Sequence, residues 1–207
     1  MKSKQVERLK DAALDGDAEA QFCLGCRYAD GDGVRRNSKE GVRWFLKAAK
    51  QNYADAQFNL GCMYDAGQGV AKNTVEAVKW YRKAARQGQV RAQFNLGVSY
   101  DDGEGVRRNA KQAVKWYRMA AAQGHIKAQY NLARAYVYGQ GVGKDVARAR
   151  YWFRKAATRG HAKSQNWMGI LYDSGIGVRR NPAQARRWYQ RAIAQGNADA
   201  RYNLKRL

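Results

Sequence analysis

Two cysteines three positions apart are the first residues whose spacing suggests chemistry. Cys23 and Cys26 have the C-x-x-C spacing of redox and zinc sites, and Cys62 is the third cysteine of the chain. A zinc site would need a second pair or a nearby histidine, and the sequence supplies neither. Cys26 and Cys62 stand 36 residues apart at a position that Val98 and Ile170 fill elsewhere. We therefore interpret them as small hydrophobic residues.

Groups for acid–base or nucleophilic catalysis are also scarce. The two histidines, His125 and His161, occupy a position that Tyr53, Gln89 and Asn197 fill elsewhere, which favours a role in a turn. The acidic residues do not combine into a compact acid–base pair with a nucleophile on one predicted face. The paired glycines lie between predicted helices, not between a strand and a helix, so they do not indicate a phosphate loop. We predict that the protein is not an enzyme and has no catalytic residue, cofactor or metal site.

A period of 36 residues organises the chain instead. Leucine, glycine, tyrosine and alanine recur at this interval, and so does a tryptophan that is always followed by Phe or Tyr. The tryptophans of this column are Trp44, Trp80, Trp116, Trp152 and Trp188. Repeats of this length are typical of stacked helical units, each of which relies on its neighbours to cover its apolar face.

Each copy is predicted to form two amphipathic helices. In the first helix Ala20, Leu24 and Tyr28 recur every four residues and give one apolar face, on which Gly25 allows the partner helix to approach closely. A Gly-x-Gly turn ends that helix. The second helix follows an Asn or Asp that is suited to cap it. These predicted caps are Asn37, Asn73, Asn109, Asp145 and Asn181.

The period sets the predicted boundaries. Residues 1–207 are predicted to form a single all-α solenoid domain, with a half-repeat helix at each end. The parts are an N-terminal half-repeat cap at 1–16, full repeats at 17–52, 53–88, 89–124, 125–160 and 161–196, and a C-terminal half-repeat helix at 197–207.

Charge is distributed unevenly along the chain. The formal net charge is +22; residues 1–105 hold 17 Lys+Arg and 14 Asp+Glu, whereas residues 106–207 hold 22 and 3. Such asymmetry is informative about partners, not about fold. No run of about 18 apolar residues occurs, so no membrane span is predicted. The N-terminus lacks the apolar segment of a signal peptide, which predicts a cytoplasmic location and reduced thiols.

The repeated phrase A-x-A-Q-[FY]-N-L-G-x-x-Y-x-x-G-x-G-V, followed by A-x-x-W-[YF]-x-[KR]-A-A-x-x-G, closely resembles the Sel1-like repeat, a relative of the tetratricopeptide repeat. The resemblance covers essentially the whole chain. It implies an α/α right-handed superhelix whose concave face is formed largely by the first helices. It also implies a scaffold or adaptor for protein complexes, with no common catalytic site. The usual proline after Gly-Val is replaced here, and the disulfide pairs of the secreted cysteine-rich branch are absent.

Positions that vary along the predicted concave face are the candidate partner-binding residues. One first-helix position carries an aromatic ladder that could hold a peptide or simply pack. Acidic residues lie on the same predicted face in repeats one to three, whereas repeat four carries Arg134 and an added Tyr138. The prediction is a groove for a segment that is basic toward the first repeats and acidic toward the last; the alternative is a solvated polar surface. The candidates are Glu19, Phe22, Asp55, Phe58, Asp65, Phe94, Asp101, Asp102, Tyr130, Arg134 and Tyr138.

The second helices carry most of the basic charge. An alternative function is therefore association with nucleic acid or another polyanion through the C-terminal half, because each phosphate contact releases counterions. An acidic protein partner and a merely solvated charged face are the other interpretations. The polyanion candidates are Arg148, Arg150, Arg154, Lys155, Arg186, Arg187 and Arg191.

Overall fold

The computed structural model describes residues 2–207, with side chains from Val6 onward. Over this range the secondary structure is entirely helical, which confirms the all-α prediction. Two compact units are present, one ending at Arg108 and one spanning Asn109–Leu207, and the prediction of a single domain stays a prediction. The first unit contains α1 (Lys2–Leu14), α2 (Ala18–Asp30), α3 (Ser38–Lys50), α4 (Ala54–Ala66), α5 (Thr74–Arg86) and α6 (Val90–Asp102).

The second unit contains the other six helices. They are α7 (Ala110–Ala122), α8 (Ile126–Tyr138), α9 (Val146–Thr158), α10 (Ala162–Ser174), α11 (Pro182–Ile193) and α12 (Ala198–Lys205). Within each unit every helix packs on the helices that precede and follow it in the chain. No helix in the described range is both long and apolar enough to cross a lipid bilayer.

Helix ends lie where the capping residues predict them. The side chain of Asn37 accepts a hydrogen bond from the Glu40 backbone N–H at 3.2 Å, and the other four predicted caps make the equivalent bond. Gly31 follows α2 with φ 82°, and its N–H donates to the Arg27 carbonyl. This left-handed backbone is easily adopted only by glycine, so the turn chemistry explains the boundary.

The glycine column allows close contact between the two helices of a repeat. A Cβ at Gly25 would lie 2.7 Å from the Phe45 ring, and one at Gly61 would lie 2.6 Å from the Tyr81 ring. This confirms the predicted close approach. The ring after each tryptophan is buried more deeply than the tryptophan itself: Tyr81 is 2% exposed and Trp80 is 8% exposed.

Neighbouring repeats also meet through their loops. A Cβ at Gly69 would lie 2.3 Å from the carbonyl oxygen of Ser38, at the start of the preceding second helix. In the second unit a Cβ at Gly141 would lie 2.2 Å from the carbonyl oxygen of Ala110. Both glycines have φ 70°. The loop of each of these repeats therefore lies directly on the backbone of the preceding copy.

A column of buried glutamines joins successive repeats, and sequence analysis did not assign it a role. The Gln57 side-chain N–H donates to the Ala49 carbonyl at 3.2 Å, and its side-chain oxygen accepts from Gln87 at 2.8 Å. Equivalent bonds to a carbonyl eight residues earlier are made by Gln21, Gln93, Gln129 and Gln165. Because buried amides need hydrogen-bond partners, this ladder of glutamines fixes how each repeat packs on the preceding one.

The ladder is incomplete at one place in the second unit. Arg159 stands where Gln51, Gln87 and Gln195 stand in other copies, and it donates to the Gly124 carbonyl. The side-chain oxygen of Gln129 is consequently buried without a hydrogen-bond partner among the described residues.

Candidate protein-binding faces

The aromatic ladder of the first unit is largely held by the core. The half-buried Phe22 ring lies 5.2 Å from the Tyr53 ring and 5.9 Å from the Phe45 ring. Phe58 is 9% exposed and lies 6.0 Å from Tyr81. These contacts support the packing interpretation, and they leave only part of each ring available to a partner.

The predicted acidic residues of the first unit differ in accessibility. Glu19, Asp55 and Asp102 are exposed. Asp65 is half-buried, and its carboxylate accepts a hydrogen bond from the Tyr81 hydroxyl at 3.3 Å. Asp55 accepts a bond from the Gln89 side chain at 3.2 Å. The exposed carboxylates are thus the part of this face that a basic segment could reach directly.

Burial disfavours the thiolate form of the cysteines near this face, because it raises the pKa of each thiol. Cys26 and Cys62 line a cavity of about 210 Å³ together with Asn59. Burial raises the pKa of Cys26 to about 11 and also raises the pKa of Cys62, whose sulfur lies 3.6 Å from the Tyr81 hydroxyl. Since the thiolate is the nucleophile and the metal ligand, these groups are suited to packing. No group of three or more His, Cys, Asp or Glu side chains placed to hold a metal occurs in the described part of the chain.

The second unit presents a different face, built on α8 and α10. Arg134 is exposed, and its guanidinium lies 5.9 Å from the ring centroids of both Tyr130 and Tyr138. Tyr138 is 47% exposed. Tyr130 lies 4.9 Å from the His161 ring, so it is held at the start of α10. Three predicted residues are therefore brought together as a cation between two aromatic rings.

Trp167 extends this cluster, and sequence reasoning missed it. Its ring stacks on Phe153 at 5.2 Å with an interplanar angle of 6°, and it meets Tyr138 edge-on at 6.2 Å. The signal was available, because Trp167 is the one tryptophan outside the repeated tryptophan column. Residues 166 and 167 are Asn-Trp, whereas the equivalent residues of another copy are Phe58 and Asn59. The aromatic ring therefore stands one position later in this repeat.

A cavity of about 580 Å³ lies beside Trp167, between α10 and α12. Tyr202, which is 60% exposed, lines it together with Trp167, and Ile170 contributes aliphatic surface. Asn203 donates to the Asn166 side-chain oxygen at 3.1 Å within the same lining. The cavity therefore combines aromatic walls with an amide pair.

Several predicted polyanion-binding residues already have partners. Arg148 pairs with Asp145 at 3.1 Å, and its guanidinium lies 5.8 Å from the Tyr136 ring. The amine of Lys155 lies 4.9 Å from the Tyr151 ring, and Arg191 lies 4.9 Å from a tryptophan of its own helix. Of the other candidates, Arg150 is half-buried and three are exposed: Arg154, Arg186 and Arg187.

The histidines lie at the predicted turns, where they cap the helices that follow. The ring nitrogen Nδ1 of His125 accepts from the Ala128 N–H at 3.2 Å, and that of His161 accepts from the Ser164 N–H at 3.3 Å. Burial, together with Lys163 and Lys127, lowers the pKa of His161. Its neutral form is therefore favoured, which is the form able to accept the capping bond.

Comparison with known proteins identifies the repeat. The family model described as Sel1 repeat matches residues 18–53, 54–89, 90–125, 126–161 and 162–197, one residue later than the predicted repeats. The resemblance inferred from sequence is thereby confirmed. A comparison with curated proteins gives no match.

Solved structures give the same result. The chain is similar to c5321, a protective antigen present in uropathogenic Escherichia coli strains that displays an SLR fold, with 40% identity over 96% of this chain and a TM-score of 0.92. It spans only 43% of that longer protein. A Sel1 repeat protein from Oxalobacter formigenes is 38% identical over 94% of this chain and 76% of its own, with a TM-score of 0.84.

Proposed function

Because the chain belongs to the Sel1 repeat family, we propose that it is a non-catalytic scaffold that binds a protein partner through the exposed faces of its first helices. Sel1 repeats generally mediate protein–protein interactions. One observation carries the proposal: the buried columns of the first helices repeat, while the exposed positions change from copy to copy. Asp55 and Asp102 are exposed in the first unit, and Arg134 and Tyr138 in the second.

These exposed positions lie outside the apolar core through which the repeats stack, although Asp55 and Tyr138 also contact the following repeat. Leu60 and Leu132 are completely buried at equivalent positions, so the apolar face of each first helix is already used. The exposed acidic residues of the first unit and the Tyr–Arg cluster of the second lie on the part of the first-helix surface that is not buried by packing. Partner choice in repeat proteins resides on such surfaces, because the buried face must serve the neighbouring repeat.

Affinity capture from the native cell tests this function. We expect a protein that is retained by the wild-type chain and lost from a variant that reverses the exposed acids of this face, Glu19→Lys, Asp55→Lys and Asp102→Lys. The matched control reverses three exposed acids of the N-terminal helix region, Glu7, Asp11 and Asp15, to lysine. It changes net charge equally and should retain the partner. Equal recovery of that protein by both variants, with both shown to be folded by circular dichroism, would refute this assignment.

Association with nucleic acid is the second candidate, and the charge of the second unit favours it. Residues 109–207 hold 20 Lys+Arg and 3 Asp+Glu. On α9 the Tyr151 ring is 51% exposed and lies beside the amine of Lys155, an arrangement suited to stacking on a base. A gel-shift assay decides: binding that persists at physiological salt and falls in an Arg186→Gln, Arg187→Gln variant supports it. Binding confined to low salt indicates nonspecific attraction and counts against it.

A further inference from the structure

The face of the second unit indicates a particular class of ligand, an inference that rests on the proposed function. We propose that α8, α10 and α12 bind an acidic peptide segment carrying one large apolar side chain, which enters the cavity between Trp167 and Tyr202. Three observations carry this proposal: the shape of the cavity, the way its tryptophan is held, and the sign of the surrounding charge.

The cavity has the lining of a side-chain pocket and is large enough for a large side chain together with part of the peptide that carries it. Its volume of about 580 Å³ is within the range of ligand sites, and its lining includes two aromatic rings and Ile170. Such walls gain free energy by removing an apolar side chain from water. The amide pair of Asn166 and Asn203 in the lining suits the backbone of a bound peptide, which always carries polar groups.

Trp167 is held in place before any ligand arrives. Its stacking on Phe153 and edge contact with Tyr138 fix the ring, while the residue itself remains only half-buried. A ring that is already ordered loses little conformational freedom on binding. Stacking of the repeats does not demand this tryptophan, because Asn59 and Asn95 occupy the same column in other copies.

Charge selects an acidic ligand. Exposed Lys127, Arg134 and Lys163 lie on α8 and α10, and Arg134 is fixed between two tyrosine rings. Of the three acids in this unit, Asp145 pairs with Arg148 and Asp173 lies 3.7 Å from Arg180. Only Asp199 lines the cavity as a carboxylate. Complementary charge would therefore be supplied by Glu or Asp flanking the apolar anchor.

Fluorescence anisotropy with defined peptides tests this inference on the full chain. The probe is a labelled glutamate-rich peptide with one central phenylalanine; companion peptides replace the phenylalanine by alanine or every glutamate by lysine. At physiological ionic strength we expect saturable binding of the probe, weakened about tenfold by the alanine replacement and abolished by the lysine replacement.

Variants of the chain locate the site. Trp167→Asn restores the residue that other copies carry and should weaken binding of the probe about tenfold. Arg134→Gln should weaken binding of the probe severalfold. The matched controls Met119→Ala and Lys111→Gln remove an exposed apolar side chain and an exposed cation from α7 and should have no effect. Tyr202→Ala provides a second test of the cavity if Trp167→Asn does not fold.

Each contrary result overturns the inference in a recognisable way. Absence of saturable binding, or equal weakening by the α7 controls, excludes the cavity as the site. Binding of the lysine peptide that depends on Trp167 refutes the acidic ligand but leaves the proposed protein-binding function standing. Concentration-dependent self-association that Trp167→Asn abolishes would assign the cavity to a second copy of the chain.

Discussion

The two units are alike where they are buried and different where they are exposed. Leu60 and Leu132 are both completely buried, and Gln57 and Gln129 both donate to a carbonyl eight residues earlier. On the surface of the same helices the first unit carries exposed carboxylates, whereas the second carries a cation between tyrosines and a displaced tryptophan. Packing therefore fixes one set of columns, and the exposed columns are free to specify different ligands.

The comparison also reveals a difference inside the core. Gln57 has partners for both its amide nitrogen and its oxygen, while the oxygen of Gln129 has none among the described residues, because Arg159 replaces the glutamine donor. A buried polar atom without a partner costs free energy. We therefore expect the two units to respond alike to changes in the shared columns and differently to changes in the ladder.

The largest effect should come from the tryptophan column. Trp80 and Trp116 are each 8% exposed. Replacing either by alanine should lower the free energy of unfolding by about 3–5 kcal/mol in urea denaturation, since it leaves a cavity. Arg118→Ala removes an exposed side chain and should cost at least about 2 kcal/mol less. A much smaller loss for one tryptophan would mean that the shared columns are not equivalent.

The glycine column should give the next effect. Gly61→Ala places a Cβ 2.6 Å from the Tyr81 ring, so we expect a loss of about 1–3 kcal/mol from overpacking, despite the better helix propensity of alanine. In the second unit Ala133 already occupies this column and is fully buried. Ala133→Gly should cost about 1 kcal/mol through propensity. Stabilisation by Gly61→Ala would show that Tyr81 can move aside.

The ladder predicts a smaller pair of effects with opposite signs. Arg159→Gln should supply the missing donor to Gln129 and raise the free energy of unfolding by about 1 kcal/mol. Gln87→Arg should remove the donor to Gln57 and lower it by a similar amount. Thermal denaturation of the two variants measures both. If both substitutions changed the free energy of unfolding in the same direction, stability would not depend on completing the ladder.

Acid should act on the second unit through the His161 cap, with the smallest effect. The folded state lowers the pKa of His161, so the unfolded chain takes up a proton first as pH falls through about 6.5, and stability decreases. The loss should stay below the roughly 1 kcal/mol typical of an N-cap. Hydrogen-exchange protection factors at the start of α10, each corrected for the intrinsic exchange rate at neutral or mildly acidic pH, measure it.

A His161→Asn variant provides the control for this acid effect. Asparagine caps α12 at the equivalent position, where the Asn197 side chain accepts from Ala200, and it does not titrate. Its protection factors, the exchange rates corrected for the intrinsic rate at each pH, should not change over the same pH range. The first unit offers an internal reference, because Asp17, Tyr53 and Gln89 occupy this column there. Persistence of the pH dependence in the variant would assign it to another group.

The sequence predicts well whatever depends on neighbours in the chain. Caps such as Asn37 and turns such as Gly31 are local signals, and they place the helices almost to the residue. Gln57 escaped notice as a structural element because its partners, Ala49 and Gln87, are eight and thirty residues away. Their meeting depends on how the repeats stack, which periodicity alone does not specify.

The candidate site was foreseen in part for a related reason. Arg134 and Tyr138 stood out because they change a column, but Phe22 and Phe58 belong mostly to packing. The repeated columns do not predict a role for Trp167, because this ring lies one position out of register with the aromatic residues of the other copies. The ring of Trp167 is positioned by its contact with Phe153, which belongs to a different repeat.

The contact of each loop glycine with the helix start before it has a consequence for the history of the chain. Gly69 and Ser38 form one such joint, and Gly141 and Ala110 form another. Three successive copies carry such a glycine, Gly69, Gly105 and Gly141, and each of these glycines meets the helix start of the copy before it. Duplication or loss of one of these copies, wherever the cut falls, therefore regenerates a matched pair, so such a gene can lengthen or shorten without a new interface having to evolve.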